Sequence, residues 1–365
     1  MDCYILCKMK SLSRNTSPLC FLPSGKLVCY HYGKLLIMQD GEVIKSYQLF
    51  TSKKETPLGR SRVLFRLLRL GIRAAIALDE EHILLSVGKM IHEFDFSTGK
   101  LSKGYFCGEG VRPLVFSDVK GIEGIDDGIY FGTYQSVSSK KPVSIFKRVD
   151  VDKWETVYTF ELGAVEHIHN VIADPYRKCL WIFSGDFGDS AAIWKVMENF
   201  GKVERVFYGD QKYRACVINV LPEGLLYATD SPLDKDYIFL LNPESGELKE
   251  QMSIAGSCIY GCQWKDQFVF ESSVEPSGKY KNRLDFLFSR EIGPGIQDRY
   301  VRIYCGNLEN GFKEIFKEKK DCLPYATFQF GAVKFPAGVN KSDTLYFQPV
   351  ATKKNDLRLM SMEME

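Results

Sequence analysis

A polar turn closed by glycine recurs along this chain, and its spacing constrains the fold more than any other feature. The segment Phe94-Asp95-Phe96-Ser97-Thr98-Gly99-Lys100-Leu101 matches Leu241-Asn242-Pro243-Glu244-Ser245-Gly246-Glu247-Leu248. Both read as a strand, a turn and a second strand, with glycine supplying the positive φ of a tight hairpin. Looser copies lie at residues 39–43, 198–203 and 309–312, and weaker ones at 150–154 and 354–357. With markers at 41, 99, 153, 201, 246, 311 and 355, the intervals are 58, 54, 48, 45, 65 and 44. Seven units of about fifty residues, each with room for about four strands, is the arithmetic of a β-propeller.

Short runs rich in Val, Ile, Phe and Tyr fill the units, such as Lys26-Leu27-Val28-Cys29-Tyr30 and Leu180-Trp181-Ile182-Phe183. The expected fold is all-β, a seven-bladed β-propeller of four-stranded antiparallel blades. A length of 365 residues also admits two domains, but the repeat argues for one. Blades are expected near residues 11–50, 72–106, 112–160, 165–208, 213–254, 257–318 and 325–365. Residues 1–10 would close the last one, residues 3–9 pairing with 357–362 so that no sheet edge is left. The 65-residue interval holds a long loop at 275–297. One helical pattern interrupts the strands, at 61–70, with Arg62, Arg66 and Arg69 on one face. It reads as a short surface helix in a long loop, its basic face available to a membrane surface or an acidic partner.

Composition removes several function classes. Lys and Arg total 48 against 46 Asp and Glu, a net charge of +2, so the basic excess of a nucleic-acid binder is absent. No apolar run reaches the roughly 18 residues of a membrane helix, and the N-terminal residues do not form a secretory signal. The 11 cysteines contain no Cys-x-x-Cys pair. They are expected as reduced thiols in a cytoplasmic monomer rather than as disulfides or a zinc site. Phosphate-loop, nucleophile-elbow, His-Glu-x-x-His and calcium-loop motifs are missing as well.

The segment Val171-Ile172-Ala173-Asp174-Pro175, then Leu180-Trp181-Ile182-Phe183-Ser184-Gly185-Asp186, then Ala192-Ile193-Trp194-Lys195 resembles the repeat unit of sialidase-like propellers. The likeness covers the repeat logic of about residues 110–275. It implies a propeller with a glycan-directed pocket on its axis. The next turn, residues 196–203, lacks the Asp and Trp of that family's Asp-box. Arg73 and Arg214 match two of the family's three arginines in type, a third is not found, and its Tyr-Glu nucleophile pair has no counterpart, so sialidase activity is not implied.

In a propeller, the starts of the innermost strands and the ends of the second strands meet around the axis, where ligands bind. The first set supplies His167, His169, Arg214 and Tyr260, with Arg73 and Glu123 as looser members. The second supplies Asp186, Asp230 and Glu271, with Tyr134 and Gln135. His167 and His169 alternate with Ile168, so both face one way on a strand. They suit a divalent metal, a general acid or base, or hydrogen bonds to nearby carbonyls. Asp186 and Asp230 fall at equivalent positions of adjacent units, as an acid/base pair for glycoside cleavage or as two turn caps. Asp189 reads as a turn residue. Arg214 is a fork for carboxylate, sulfate or phosphate, or a salt-bridge partner of Asp186 or Asp230. Trp181, Trp194 and Trp264 belong to the core before they belong to a sugar platform.

Two functions follow. In the first, the protein is a glycan-directed hydrolase or lyase with Asp186, Asp230 and His167 catalytic. Arg214, His169, Tyr260, Glu271, Arg73 and Tyr134 then hold a glycan or anionic sugar-type ligand, and a divalent metal is an option at His167 and His169. In the second, it is a non-catalytic scaffold for protein partners. A scaffold fills its axis with small apolar residues, whereas an enzyme leaves charge there.

Overall fold

Seven antiparallel sheets follow one another along the chain, each contributing a short innermost strand to a common axis. A computed structural model describes residues 8–49, 60–135 and 141–363. The innermost strands, in blade order, are Thr16–Phe21, Ala74–Ala77, Ser117–Val119, His167–Asp174, Ala215–Leu221, Gly261–Trp264 and Ala332–Lys334. Two blades depart from four strands. In blade 2, Lys100–Leu101 and Tyr105–Phe106 both pair with Met90–Asp95, and in blade 6 Val339–Asn340 adds a parallel strand beside Gly261–Trp264. This is a seven-bladed propeller.

Ring closure is made by Lys8–Arg14, the outermost strand of blade 7, which pairs with Arg358–Glu363 from Lys8↔Glu363 to Arg14↔Arg358. Residues 11–14 therefore belong to blade 7, and blade 1 begins at Thr16. Of the segment expected to close the ring, residues 3–7 lie outside the described residues.

The core lies between blades. In the second strand of blade 4, Cys179, Trp181 and Phe183 pack toward blade 5 with Ala215, Leu225 and Tyr227. Leu180 and Ile182 pack the other way, with Val119, Tyr130 and Ile145 of blade 3. A strand with a neighbour on each face carries a continuous apolar run instead of alternation. Outer strands such as Glu42–Gln48 and Lys202–Tyr208 are exposed along most of their length.

The helix expected at 61–70 spans Arg62–Leu67, and the Ser61 hydroxyl accepts from the Leu64 N–H. Its arginines do not share an exposed face. Arg66 is 1% exposed, donates to the Phe328 carbonyl and pairs with Asp321 and Asp356. The helix is thus clamped to blade 7 by a buried ion cluster. The long loop at 275–297 carries a second helix, Arg283–Phe288, and a third, Tyr325–Phe328, sits between the two. No helix among the described residues is long and apolar enough to cross a membrane.

Candidate functional site

The innermost strands of blades 4 and 5 each contain a β-bulge. In blade 4 the register slips between Ile168 and Asn170, making His169 the extra residue. In blade 5 it slips between Ala215 and Val217, making Cys216 the extra one. A bulge re-aims the side chain it carries, and here it brings His169, Cys216 and Asp230 within 4.8 Å of one another. Gly185, opposite His167 in the ladder, leaves room for the imidazole: a Cβ there would meet the His169 ring at 2.4 Å.

An ion cluster results. Nε2 of His167 lies 3.0 Å from Nε2 of His169 and 3.1 Å from Oδ1 of Asp186. Nδ1 of His169 donates to the Ala215 carbonyl at 3.2 Å. That tautomer leaves its Nε2 to accept from His167. The Arg214 guanidinium reaches Oδ1 of Asp186 at 3.0 Å and Oδ2 of Asp230 at 3.4 Å. Cys216 Sγ donates to the same Asp230 oxygen at 3.4 Å.

Burial works against the Asp186 charge, but the hydrogen bond from His167 and the Arg214 charge outweigh it, holding this carboxyl below the usual range. Asp230 goes the other way. Burial, only partly offset by Arg214 and reinforced by the charges of Glu275 and Asp186, pushes it up to about 8. Burial lowers His169 to about 4, so it is neutral at physiological pH.

An axial cavity of about 220 Å³ opens beside this cluster. Arg214, Asp230, Cys216, Tyr134, Tyr260 and Arg73 line it, as do Arg69, Arg112, Glu275 and Lys334. His167, His169 and Asp186 stand one layer behind, covered by Tyr134, whose ring centroid is 4.6 Å from that of His167, and by Arg214. Below it a more apolar chamber of about 250 Å³ continues along the axis, sharing Arg73, Tyr260 and Lys334 at the junction.

The cavity is electrically divided. On one side stand Asp230 and Glu275, each with an oxygen that is buried and unpartnered, Oδ1 and Oε2 respectively. Burial raises the Glu275 carboxyl too. On the other stand Arg73, Arg112 and Lys334, none of which meets a carboxylate within ion-pair distance among the described residues. Arg112 lies over the Tyr134 ring at 5.3 Å. Burial and the neighbouring Arg112 and Arg69 charges lower the Arg73 pKa, and burial with Arg73 brings Lys334 to about 8.

Other sequence candidates fall elsewhere. Glu271 accepts from the Ile259 N–H and the Val333 N–H, both at 3.2 Å, and so pins blade 6 to blade 7 away from the cavity. Glu123 is exposed and paired with Lys178 at 2.6 Å. Gln135 is buried against the Lys141 carbonyl at 3.1 Å. Asp189 sits in a 3-10 turn. Trp181 and Trp264 are core residues. Sequence reasoning passed over Arg112, Lys334, Glu275 and Glu166, whose carboxylate holds the backbone N–H groups of Asp186 and Phe187. Lys334, a lone cation between Val333 and Phe335 in an apolar strand, carried a readable signal; Arg112 lies in a loop and carried none.

The donor set of His167, His169 and Asp186 is of a type that divalent cations accept. The Asp186 oxygen common to all its contacts is already held by the Arg214 guanidinium, so a metal ion here would compete with a fixed cation.

No protein-family model and no curated protein matches the chain. Solved structures do. An oligogalacturonate lyase in complex with manganese is 11% identical, with a TM-score of 0.62 over 100% of this chain and 95% of that one. A prolyl endopeptidase structure is 12% identical, TM-score 0.52, over 93% of this chain and 46% of that one. A chain of a mitotic checkpoint complex is 8% identical, TM-score 0.54, over 98% and 91%. At these identities the likeness is one of propeller fold, and the resemblance to sialidase-like propellers stands at that level also.

Proposed function

We propose that this protein is a propeller enzyme whose axial cavity takes a small anionic, hydroxylated ligand of the sugar-acid type, with Asp230 as proton donor. The observation that carries this reading is the group of Arg73, Arg112 and Lys334, three cations lining one axial cavity with no carboxylate at ion-pair distance from any of them. Like charges gathered around one cavity repel one another, and an anion bound between them relieves that repulsion. A carboxylate fits best, since guanidinium forks bind it through two parallel hydrogen bonds. The cavity is smaller than the roughly 300–1,000 Å³ of drug-sized pockets, which favours a single ring.

The chemistry follows from the opposite wall. Arg214 neutralises Asp186, leaving Asp230, a residue of the cavity wall, protonated and with one oxygen unpartnered. A neutral carboxyl at physiological pH donates a proton to a leaving glycosidic oxygen, the step shared by hydrolysis and elimination. Asp186 does not touch the cavity and acts through Arg214 as a positioning residue. The oligogalacturonate lyase among the structural neighbours, named for its action on a polymer of a sugar acid, is in keeping with this reading. A scaffold working only through its rim has no use for unpaired cations on its axis.

Calorimetry tests it. Galacturonate or glucuronate should bind, while galactose and glucose do not, and Arg112→Ala or Lys334→Ala should each weaken binding about tenfold or more, the scale of a charge-assisted hydrogen bond. Equal affinity for neutral and acidic sugars, or no loss in either variant, refutes the proposal. With oligouronides as substrate, an unsaturated, ultraviolet-absorbing product separates elimination from hydrolysis.

A further inference from the structure

Helix Arg283–Phe288 has the sequence Arg-Leu-Asp-Phe-Leu-Phe, and none of its residues is buried. Leu284, Phe286 and Phe288 are 67%, 44% and 65% exposed. Such side chains normally seek cover, and a cluster of them at a loop tip marks an interaction site. Around them stand the exposed cations Lys279, Lys281, Arg283 and Arg290, against the acids Asp285 and Glu291.

The neighbouring loop repeats the pattern. Helix Arg62–Leu67 and the residue after it expose Val63, Leu67 and Leu68 beside the exposed Arg60, Arg62 and Arg69. Both helices are tied to Tyr325–Phe328: the Thr327 hydroxyl donates to the Leu287 carbonyl at 2.8 Å, and Arg69 donates to the Ala326 carbonyl at 2.9 Å. They therefore share one end of the propeller. It is the end where Arg69 and Glu275, from the same two loops, line the axial cavity.

We infer that this end of the propeller docks on an anionic lipid surface, with Leu284, Phe286 and Phe288 entering the headgroup layer. Charge complementarity selects that occupant. Cations ring the apolar tips on both loops, although the chain as a whole carries only +2, so the attraction is local to this end. Apolar tips amid Lys and Arg are the composition of interfacial membrane segments, in which the cations draw the protein to an anionic leaflet. The docked protein would present its cavity mouth to the lipid interface. This inference is independent of the ligand proposed above.

The full chain should co-sediment with vesicles of phosphatidylcholine and phosphatidylserine, and far less with phosphatidylcholine alone. Added salt should weaken the binding. The double variant Leu284→Ser, Phe288→Ser should lower vesicle affinity about tenfold or more, and Lys279→Glu with Lys281→Glu should do the same, both melting like the parent because these side chains support no core. Absence of binding, or binding that both variants retain, overturns the inference. So does a dimer in size-exclusion chromatography that Leu284→Ser, Phe288→Ser converts to monomer, since the patch would then be a contact between two copies.

Discussion

Arg214 faces two carboxyls and carries one charge, and the competition is decided by their surroundings. Asp186 accepts from His167 and is also 3.3 Å from His169, while Asp230 has only Arg214 and a thiol. Asp186→Asn should therefore cost about 3 kcal/mol in urea unfolding at neutral pH. That is the low end for breaking a buried pair, because Asp230 can ionise and take over part of the role. Asp230 predicts a pH effect of definite sign. Its ordinary value is 3.8 and its folded value about 8, so the native state holds the extra proton between them. Stability linked to this group is complete below about pH 4 and declines as pH rises through 8. Asp230→Asn should melt like the parent near pH 4 and above it beyond pH 8, while turnover falls about 100-fold or more. A parent and variant that melt in parallel at all pH values would show that Asp230 titrates in the fold as it does in the unfolded chain. The juxtaposition of Arg214 and Asp230 follows from sequence, since each lies one step beyond the paired residues Ala215 and Thr229. Their opposite protonation does not, because it depends on what the rest of the ring brings beside them.

Strands and turns were the most legible scale, and the misreading of the last marker has a topological cause. Six markers fall in hairpins between third and fourth strands, as between Asp236–Leu241 and Leu248–Ile254. The seventh, at 355, falls between the second and third strands of blade 7, Thr344–Val350 and Arg358–Glu363. Blade 7 has no outer hairpin to find, since its fourth strand comes from the other end of the chain. The Asp-Pro turn of blade 4 shows how one residue holds an element. Asp174 accepts from the Tyr176 and Arg177 N–H groups at 3.0 and 2.9 Å and from the Trp181 indole at 2.8 Å. Asp174→Ala strands a buried indole N–H and uncaps the turn, which should cost about 3 kcal/mol in urea unfolding. It lies at the opposite end of its strand from His167, so sugar-acid affinity should be unchanged. A variant that keeps its stability would mean the turn is held by backbone geometry alone.

At the scale of the whole molecule, the ring is closed by a few residues. Removing residues 1–14 takes away the partner of Arg358–Glu363 and leaves an unpaired edge strand carrying Leu359, Met360 and Met362. Light scattering should show aggregation of the truncated chain and calorimetry a lower melting temperature, the expected fate of an exposed edge. A truncated chain that stays monomeric with an unchanged melting temperature would show that blade-to-blade packing suffices. The number of blades, the outer hairpins and the convergence of His167, Asp186, Arg214 and Asp230 were determined by the sequence alone. Each rests on turn chemistry and strand periodicity within a unit, and such signals act between close neighbours. The register of closure, the layer of wall that sets His167, His169 and Asp186 behind Arg214, and the meeting of Arg112, Glu275 and Lys334 from three other parts of the ring were decided by the tertiary structure. The physical reason is that burial and electrostatic coupling depend on distance in space between residues far apart in the chain, and no local pattern records that distance.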